Sequence, residues 1–253
     1  MKSLKIILIF FIFTFELFSQ GFDWQYSPRL PYTIPTKFIG LSVNYGIIEN
    51  RGNFGFMEDF IECCNYQAGQ GKSQEISLIG EYWYKGDLAY IASIGFVSVK
   101  SNFSTTITVP RSDGKNDYFS VYKYTLEESR NKLILKFGTK YRILNSHFSV
   151  GASGNFQLYL SSTATHKEKI LAPSSETFID GTSERIIQNG ILSNYNKLLF
   201  SPELFLNYDL SVIRGYYTSI KVGVDFPVFS VIEKEDWREW KFTLNIGLLK
   251  SIY

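Results

Sequence analysis

Eight stretches of this chain alternate apolar and polar side chains with a period of two. In the cleanest, residues 148–161, Phe148, Val150, Ala152, Phe156, Leu158 and Leu160 share one face, while Ser149, Ser153, Asn155, Gln157 and Ser161 share the other. Leu41, Val43, Tyr45 and Ile47 oppose Ser42, Asn44 and Gly46 in the same way. Leu133, Leu135, Phe137, Tyr141 and Ile143 likewise oppose Lys136, Gly138, Lys140 and Arg142. Two faces of opposite polarity specify β-strands. The pattern predicts strands over 37–48, 74–84, 88–102, 131–143, 148–161, 197–209, 216–225 and 237–249.

Connectors alternate in length. Three are short: Lys85-Gly86-Asp87, the region around Asn145-Ser146, and 210–215. Three are long, about 25, 28 and 35 residues, after the first, third and fifth strands, and a moderate one spans 226–236. Short turns at one end and long loops at the other predict an all-β, up-and-down antiparallel transmembrane β-barrel of eight strands. Within the second long connector, 103–109 and 118–126 flank a turn-rich stretch and read as a hairpin prolonging the wall. A ten-stranded barrel is the alternative. Eight is preferred because Ser104, Thr105, Thr106 and Thr108 suit lipid poorly.

Turn parity agrees, because a hairpin must bring both apolar faces to one side. The three short turns would place Tyr82 opposite Tyr90, Tyr141 opposite Val150, and Tyr208 opposite Tyr216 with Glu203 opposite Lys221.

Alternation alone also fits a soluble barrel or sandwich with its apolar face inward, and the charges bear on that choice. Glu81, Lys136, Lys140, Arg142, Glu203, Lys221 and Lys241 fall on the polar face, predicting a lumen cluster of both signs with Glu203–Lys221 as its pair. On the lipid face, each base near the midplane would cost roughly 2–4 kcal/mol. Tyr82, Tyr84, Tyr141, Tyr208 and Tyr216 cluster at the short-turn ends, and Trp237 and Trp240 at the opposite end of the last strand, which predicts aromatic girdles at both interfaces. Eight strands leave an interior just wide enough for side chains, so these charges predict a filled lumen rather than a selective pore.

Lys2 and Lys5, an apolar run over 6–15 and Ser19-Gln20-Gly21 read as a signal peptide over 1–21. Pro28, Pro31 and Pro35 then predict an extended periplasmic tail over 22–36, leaving 37–253 as one barrel domain. In the 253 residues, 45% are hydrophobic and 17% aromatic, and the net charge of +2 includes no basic run that would suggest nucleic acid. The expected location is the outer membrane of a Gram-negative-type cell, both termini periplasmic. The final Tyr253 is the kind of terminal aromatic that barrel-assembly machinery reads, although it falls one residue out of phase with Trp240, Phe242, Leu244, Ile246 and Leu248.

On these strands, turns and girdles, the chain resembles the OmpA/OmpX-like family of small outer-membrane β-barrel domains over nearly all of its mature length. The resemblance rests on architecture, and so implies fold rather than activity. The chain stops at its last strand, so no periplasmic peptidoglycan-binding domain is expected.

Four motifs could carry chemistry. Cys63-Cys64 lies in the first long connector of an exported chain, where a strained vicinal disulfide, a bond to another chain or a thiol metal site are the alternatives. A structural disulfide is favoured over metal. His147-Phe148-Ser149 matches the His-x-Ser pair of outer-membrane lipid A deacylases of the PagL type, but sits at a short turn, away from the outer leaflet. His166 reads as a solvated loop residue, and Gly69-Gln70-Gly71-Lys72-Ser73 as a flexible loop rather than a phosphate loop. The expected function is therefore non-enzymatic and without a cofactor, with outer-membrane lipid, barrel-assembly machinery and an extracellular ligand or envelope protein as partners. The alternatives are a lipid-modifying enzyme and an accessory barrel of a secretion or surface-assembly complex.

Overall fold

The computed structural model describes residues 36–58, 61–85, 87–112, 117–143, 146–173, 175–191, 195–213, 215–233 and 235–252. The expected signal peptide, all but the last residue of the expected Pro-rich tail, and Tyr253 fall outside these. The strands are β1 (Lys37–Glu58), β2 (Ile61–Lys85), β3 (Leu88–Ser112), β4 (Asp117–Arg142), β5 (Phe148–Ala172), β6 (Glu184–Gly190), β7 (Leu198–Ile213), β8 (Tyr216–Asp225) and β9 (Asp236–Ile252). Every pairing is antiparallel. Eight strands close into a ring, β1-β2-β3-β4-β5-β7-β8-β9 and back to β1, and β6 adds to the upper part of β5 beyond the point where β7 leaves it. The chain is an eight-stranded, up-and-down antiparallel β-barrel.

Its apolar face points outward. Leu41, Ile76, Phe96 and Leu206 are each more than half exposed, and every strand of the ring carries exposed outward apolar residues, while the polar faces of the same strands are buried. A soluble barrel would show the reverse, so this band is a lipid-facing surface. Such a band needs about 9–11 residues per strand, but β2 to β5 each run for 25 or 26. More than half of each of these strands therefore rises beyond the band at the long-loop end.

The extra length agrees with one sequence expectation, the prolonged hairpin, and overturns two. Residues 103–112 and 117–126 continue β3 and β4 as one hairpin, so the wall is prolonged and no strands are added to the ring. Gly69 to Ser73 is not a flexible loop: it is paired β2, opposite Phe103 to Val99. Cys63 and Cys64 also lie in β2 rather than in a loop, with Cys64 opposite Phe56. Their side chains, and hence the disulfide reading, fall outside the described residues.

The physical cause is an inversion of polarity above the membrane. On β3, the outward residues change from Ile94 and Phe96 to Ser98, Lys100 and Asn102, while Val97, Val99 and Phe103 turn inward and are buried. Water replaces lipid outside, so the apolar residues move to the interior without any change in strand conformation. On β5 the phase itself shifts: Asn131 pairs with Ser161 and Lys132 with Tyr159, leaving Leu160 as an extra residue, and from Ser162 onward the even positions face in.

Two of the three turn registers match their expectations, Tyr82 with Tyr90 and Tyr141 with Val150. The third does not. β7 runs on to Ile213, which pairs with Tyr216, so Tyr208 faces Ile220 and Glu203 faces Asp225. Gly215, at a φ of 81°, takes the left-handed conformation that a tight turn there requires, and more backbone is paired as a result. The displacement is four residues, an even number, so every face is preserved.

Candidate functional site

The interior is organised in layers, and their order follows from which residues each inward face presents. At the short-turn end, Lys140 on β4 lies 2.9 Å from Glu81 on β2 and 3.1 Å from Asp209 on β7, which also accepts a 2.8 Å hydrogen bond from the Asn207 amide. The Tyr217 hydroxyl donates to Glu81. Around this knot, Arg142 stacks 4.3 Å above the Trp83 ring, and Phe38 meets Tyr217 edge-on at 4.9 Å. Glycine is required opposite one ring of the wall: a Cβ on Gly151 would stand 2.3 Å from the Phe205 ring.

The middle layer is polar. Lys136 meets Glu75 at 2.8 Å, Lys221 meets Glu203 at 3.0 Å, and Lys241 meets Asp225 at 2.8 Å. Asn44, Ser153 and Asn155 donate further hydrogen bonds to these three carboxylates. Although the register puts Lys221 opposite Asn207, its flexible stem reaches Glu203 along the diagonal. Above lies an apolar layer of Ile48, Val97, Val99 and Ile134, all buried.

The next layer centres on Arg130, a fully buried guanidinium that pairs with both Glu128 and Glu239 and stacks on Trp237 at 4.8 Å. Lys132 also reaches Glu239, at 3.2 Å, and the Tyr195 hydroxyl donates to Glu128 at 2.8 Å. Burial pushes the Glu128 carboxyl up, against the pull of Arg130. A buried cluster that includes Tyr66, Phe103, Leu126, Tyr195 and Trp237 closes the mouth over this pair.

All seven residues of the sequence-derived lumen cluster face inward, and each of Glu81, Lys136, Lys140, Glu203, Lys221 and Lys241 meets an opposite charge. The sequence reading omitted Glu75, Asp209 and Asp225, which complete these pairs, and the whole Arg130 group. Strand parity could have found the first three, since each stands an even number of residues from an assigned lumen charge on its own strand. The five tyrosines of the short-turn girdle lie on the outer face, and Trp240 is outward too, packed on Phe226 at 5.4 Å. Trp237 is a correction: it points inward, is fully buried, and donates its indole N–H to Asn50 at 2.9 Å. It stands an odd number of residues from Trp240, so one strand cannot present both rings to lipid.

His166 is likewise not a solvated loop residue. It is an inward residue of β5, buried, with Nε2 2.9 Å from the Tyr66 hydroxyl and its ring beside Tyr124. Glu168, two residues on, is held by the Tyr124 hydroxyl and by Arg185 of β6, both at 2.7 Å. Burial lowers the His166 pKa, with Glu168 opposing it. The folded state therefore binds that proton less readily than the unfolded chain, and the stability His166 contributes is complete above about pH 6.5 and is lost progressively as pH falls from there through the lower folded-state pKa. Relative to the intrinsic exchange rate at each pH, backbone protection across the β5–β6 pairing should fall as pH drops from about 7 to 5 and should stay constant over that range in His166→Gln. Equal pH dependence in both proteins would rule out His166 as the titrating group.

At the other end, the His147 Nδ1 lies 2.9 Å from the Asp209 carbonyl oxygen and its ring packs on Tyr208, while Ser149 is buried in the lumen opposite Arg142. The imidazole is thus engaged with backbone at a short turn. Among the described residues, no group of three or more His, Cys, Asp or Glu side chains could hold a metal ion.

No protein-family model and no curated protein matches this chain. Among solved structures, the attachment invasion locus protein Ail of Yersinia pestis aligns with 85% of this chain and 99% of its own at 10% identity, TM-score 0.35. Neisserial surface protein A aligns with 85% of this chain and 97% of its own at 9% identity, TM-score 0.32. The outer membrane protease OmpT from Escherichia coli aligns with 88% and 99% at 8% identity, TM-score 0.34. The fold assignment rests on the chain's own strand order and outward apolar band, not on these distant likenesses.

Proposed function

We propose that this protein is a non-enzymatic outer-membrane barrel of the OmpA/OmpX-like kind, closed to solutes, which presents its prolonged wall outside the cell to a ligand, surface or envelope partner. The observation that carries this reading is the lumen: in each charged layer acids and bases bond to one another across the interior. A conducting pore keeps its charges hydrated, whereas buried pairs of this kind fill the space and fix the strands. With the lumen occupied, contact chemistry is left to the wall beyond the lipid band, and the short turns, with both termini, belong in the periplasm. The lipid-deacylase reading finds no support in His147, for the geometric reasons above.

Two measurements test this. Reconstituted in planar bilayers, the protein should give no steady, salt-dependent conductance steps, and reproducible steps would overturn the closed-lumen reading. In intact cells, a membrane-impermeant maleimide should label Asp180→Cys, in the exposed segment between β5 and β6, but not Asp87→Cys at a short turn, both on a Cys63→Ser/Cys64→Ser background. The opposite labelling would invert the orientation.

A further inference from the structure

Immediately beyond the lipid-facing band, Lys72 on β2 and Lys100 on β3 stand directly opposite each other, both outward and exposed. Like charges in that relation repel. Among the described residues, neither amine has a carboxylate partner: the outward acids on the flanking strands are already engaged, Glu127 by Lys167 at 2.8 Å and Glu49 by Arg51 at 2.9 Å. On the same face, two outward positions nearer the short turns, stand Ile76 and Phe96, 57% and 61% exposed, within the lipid band. Four residues of a tilted strand raise the amines roughly 10 Å above those side chains, the height of lipid headgroups rather than of free solvent.

The two lysines line a groove of about 880 Å³ on the outer wall. Its lower edge is formed by the lipid-facing Tyr45 and Ile47, and beside and above the amines it carries hydroxyl and amide groups such as Ser129 and Asn102. We propose that this groove binds the headgroup of a phosphorylated glycolipid of the outer leaflet, with Lys72 and Lys100 sharing one phosphate. A phosphate between the amines relieves their repulsion and accepts charge-assisted hydrogen bonds from both. The hydroxyl and amide groups suit sugar hydroxyls, and Tyr45 with Ile47 offer apolar contact to the first carbons of an acyl chain. The inference rests on the orientation proposed above, which puts this end of the barrel in the outer leaflet.

The test uses the full mature chain refolded in detergent micelles, with heat-modifiable gel migration confirming the barrel. Retained lipid is measured by native mass spectrometry with diphosphorylated lipid A, dephosphorylated lipid A, phosphatidylglycerol and inorganic phosphate as separate probes. Wild type should retain diphosphorylated lipid A about tenfold better than the dephosphorylated form, and Lys72→Ser/Lys100→Ser should abolish that preference, whereas Lys72→Arg/Lys100→Arg should keep most of it. Should the serine double variant fail to fold, Lys100→Ser alone carries the same comparison. Equal retention by wild type and serine variant would overturn the proposal. So would phosphatidylglycerol held as well as lipid A, which marks a generic anion site, or displacement of lipid A by stoichiometric inorganic phosphate, which marks a site for the free ion. Micelles present lipid from every side, so this result is independent of the cell-labelling experiment, and the two readings fail separately.

Discussion

Arg130→Met is expected to destabilise the barrel by roughly 3–5 kcal/mol, because it leaves Glu128 buried without a cation and Glu239 with Lys132 alone. Arg130 has no exposed side-chain surface and serves both carboxylates at once, with Lys132 able to reach only Glu239. Methionine fills much of the volume and keeps contact with Trp237, so loss of packing is the smaller part of the effect, and lost stacking on that ring adds about 0.5–2 kcal/mol. Protonation can relieve Glu128, whose carboxyl burial already pushes up, and this sets an upper bound on the cost near neutral pH. The double variant Glu128→Gln/Arg130→Met should recover more than half of the loss, since Glu239 keeps Lys132 as its partner and the unpaired Glu128 charge, not the missing arginine, is what the single variant suffers from. Urea unfolding of the refolded protein in lipid vesicles measures both. A single-variant loss under about 1 kcal/mol would mean that water reaches these carboxylates and that the mouth is not closed as described.

Lys140→Met should be of similar size, roughly 3–5 kcal/mol, at the other end of the lumen. The amine sits between Glu81 and Asp209, both buried, and removing it leaves two carboxylates facing each other with only neutral donors, Tyr217 and Asn207. It also lies 5.0 Å from the Trp83 ring centroid, which Arg142 shares. Adding Glu81→Gln should restore more than half of the lost stability, and adding Ser219→Ala, which removes no charge, should not. If Glu81→Gln gave no rescue, the Lys140 pairing would not be what holds this end together.

How much of this was legible in the sequence can be judged strand by strand. Alternation located all eight membrane segments because lipid outside and polar side chains inside impose one period and one phase across the band. The same rule placed Glu81, Lys136, Lys140, Arg142, Glu203, Lys221 and Lys241 in the lumen. It ended the strands too early for a definite reason: the reading followed outward apolar residues, and above the band Ser98, Lys100 and Asn102 are outward while Val99 and Phe103 are not. Thr105, Ile107 and Val109 continue the inward phase, so the hairpin remained visible to parity even where hydrophobicity had changed sides. His166 and Trp237 were misplaced because position in a long connector or near an interface was weighed above the phase of the strand.

By itself, then, the sequence located the eight membrane segments of the ring but not β6, and determined the face of each side chain within the band and the short-turn end of the barrel, since these follow from local period and parity. Only the tertiary structure decided which charge meets which. Lys136 with Glu75 and Lys140 with Glu81 join β4 to β2 across the intervening β3, and Lys140 with Asp209 joins β4 to β7. Those partners share a height only through the tilt and closure of the ring, which no single strand encodes. The position of the β7–β8 turn was settled in the same way, by backbone pairing that continued to Gly215.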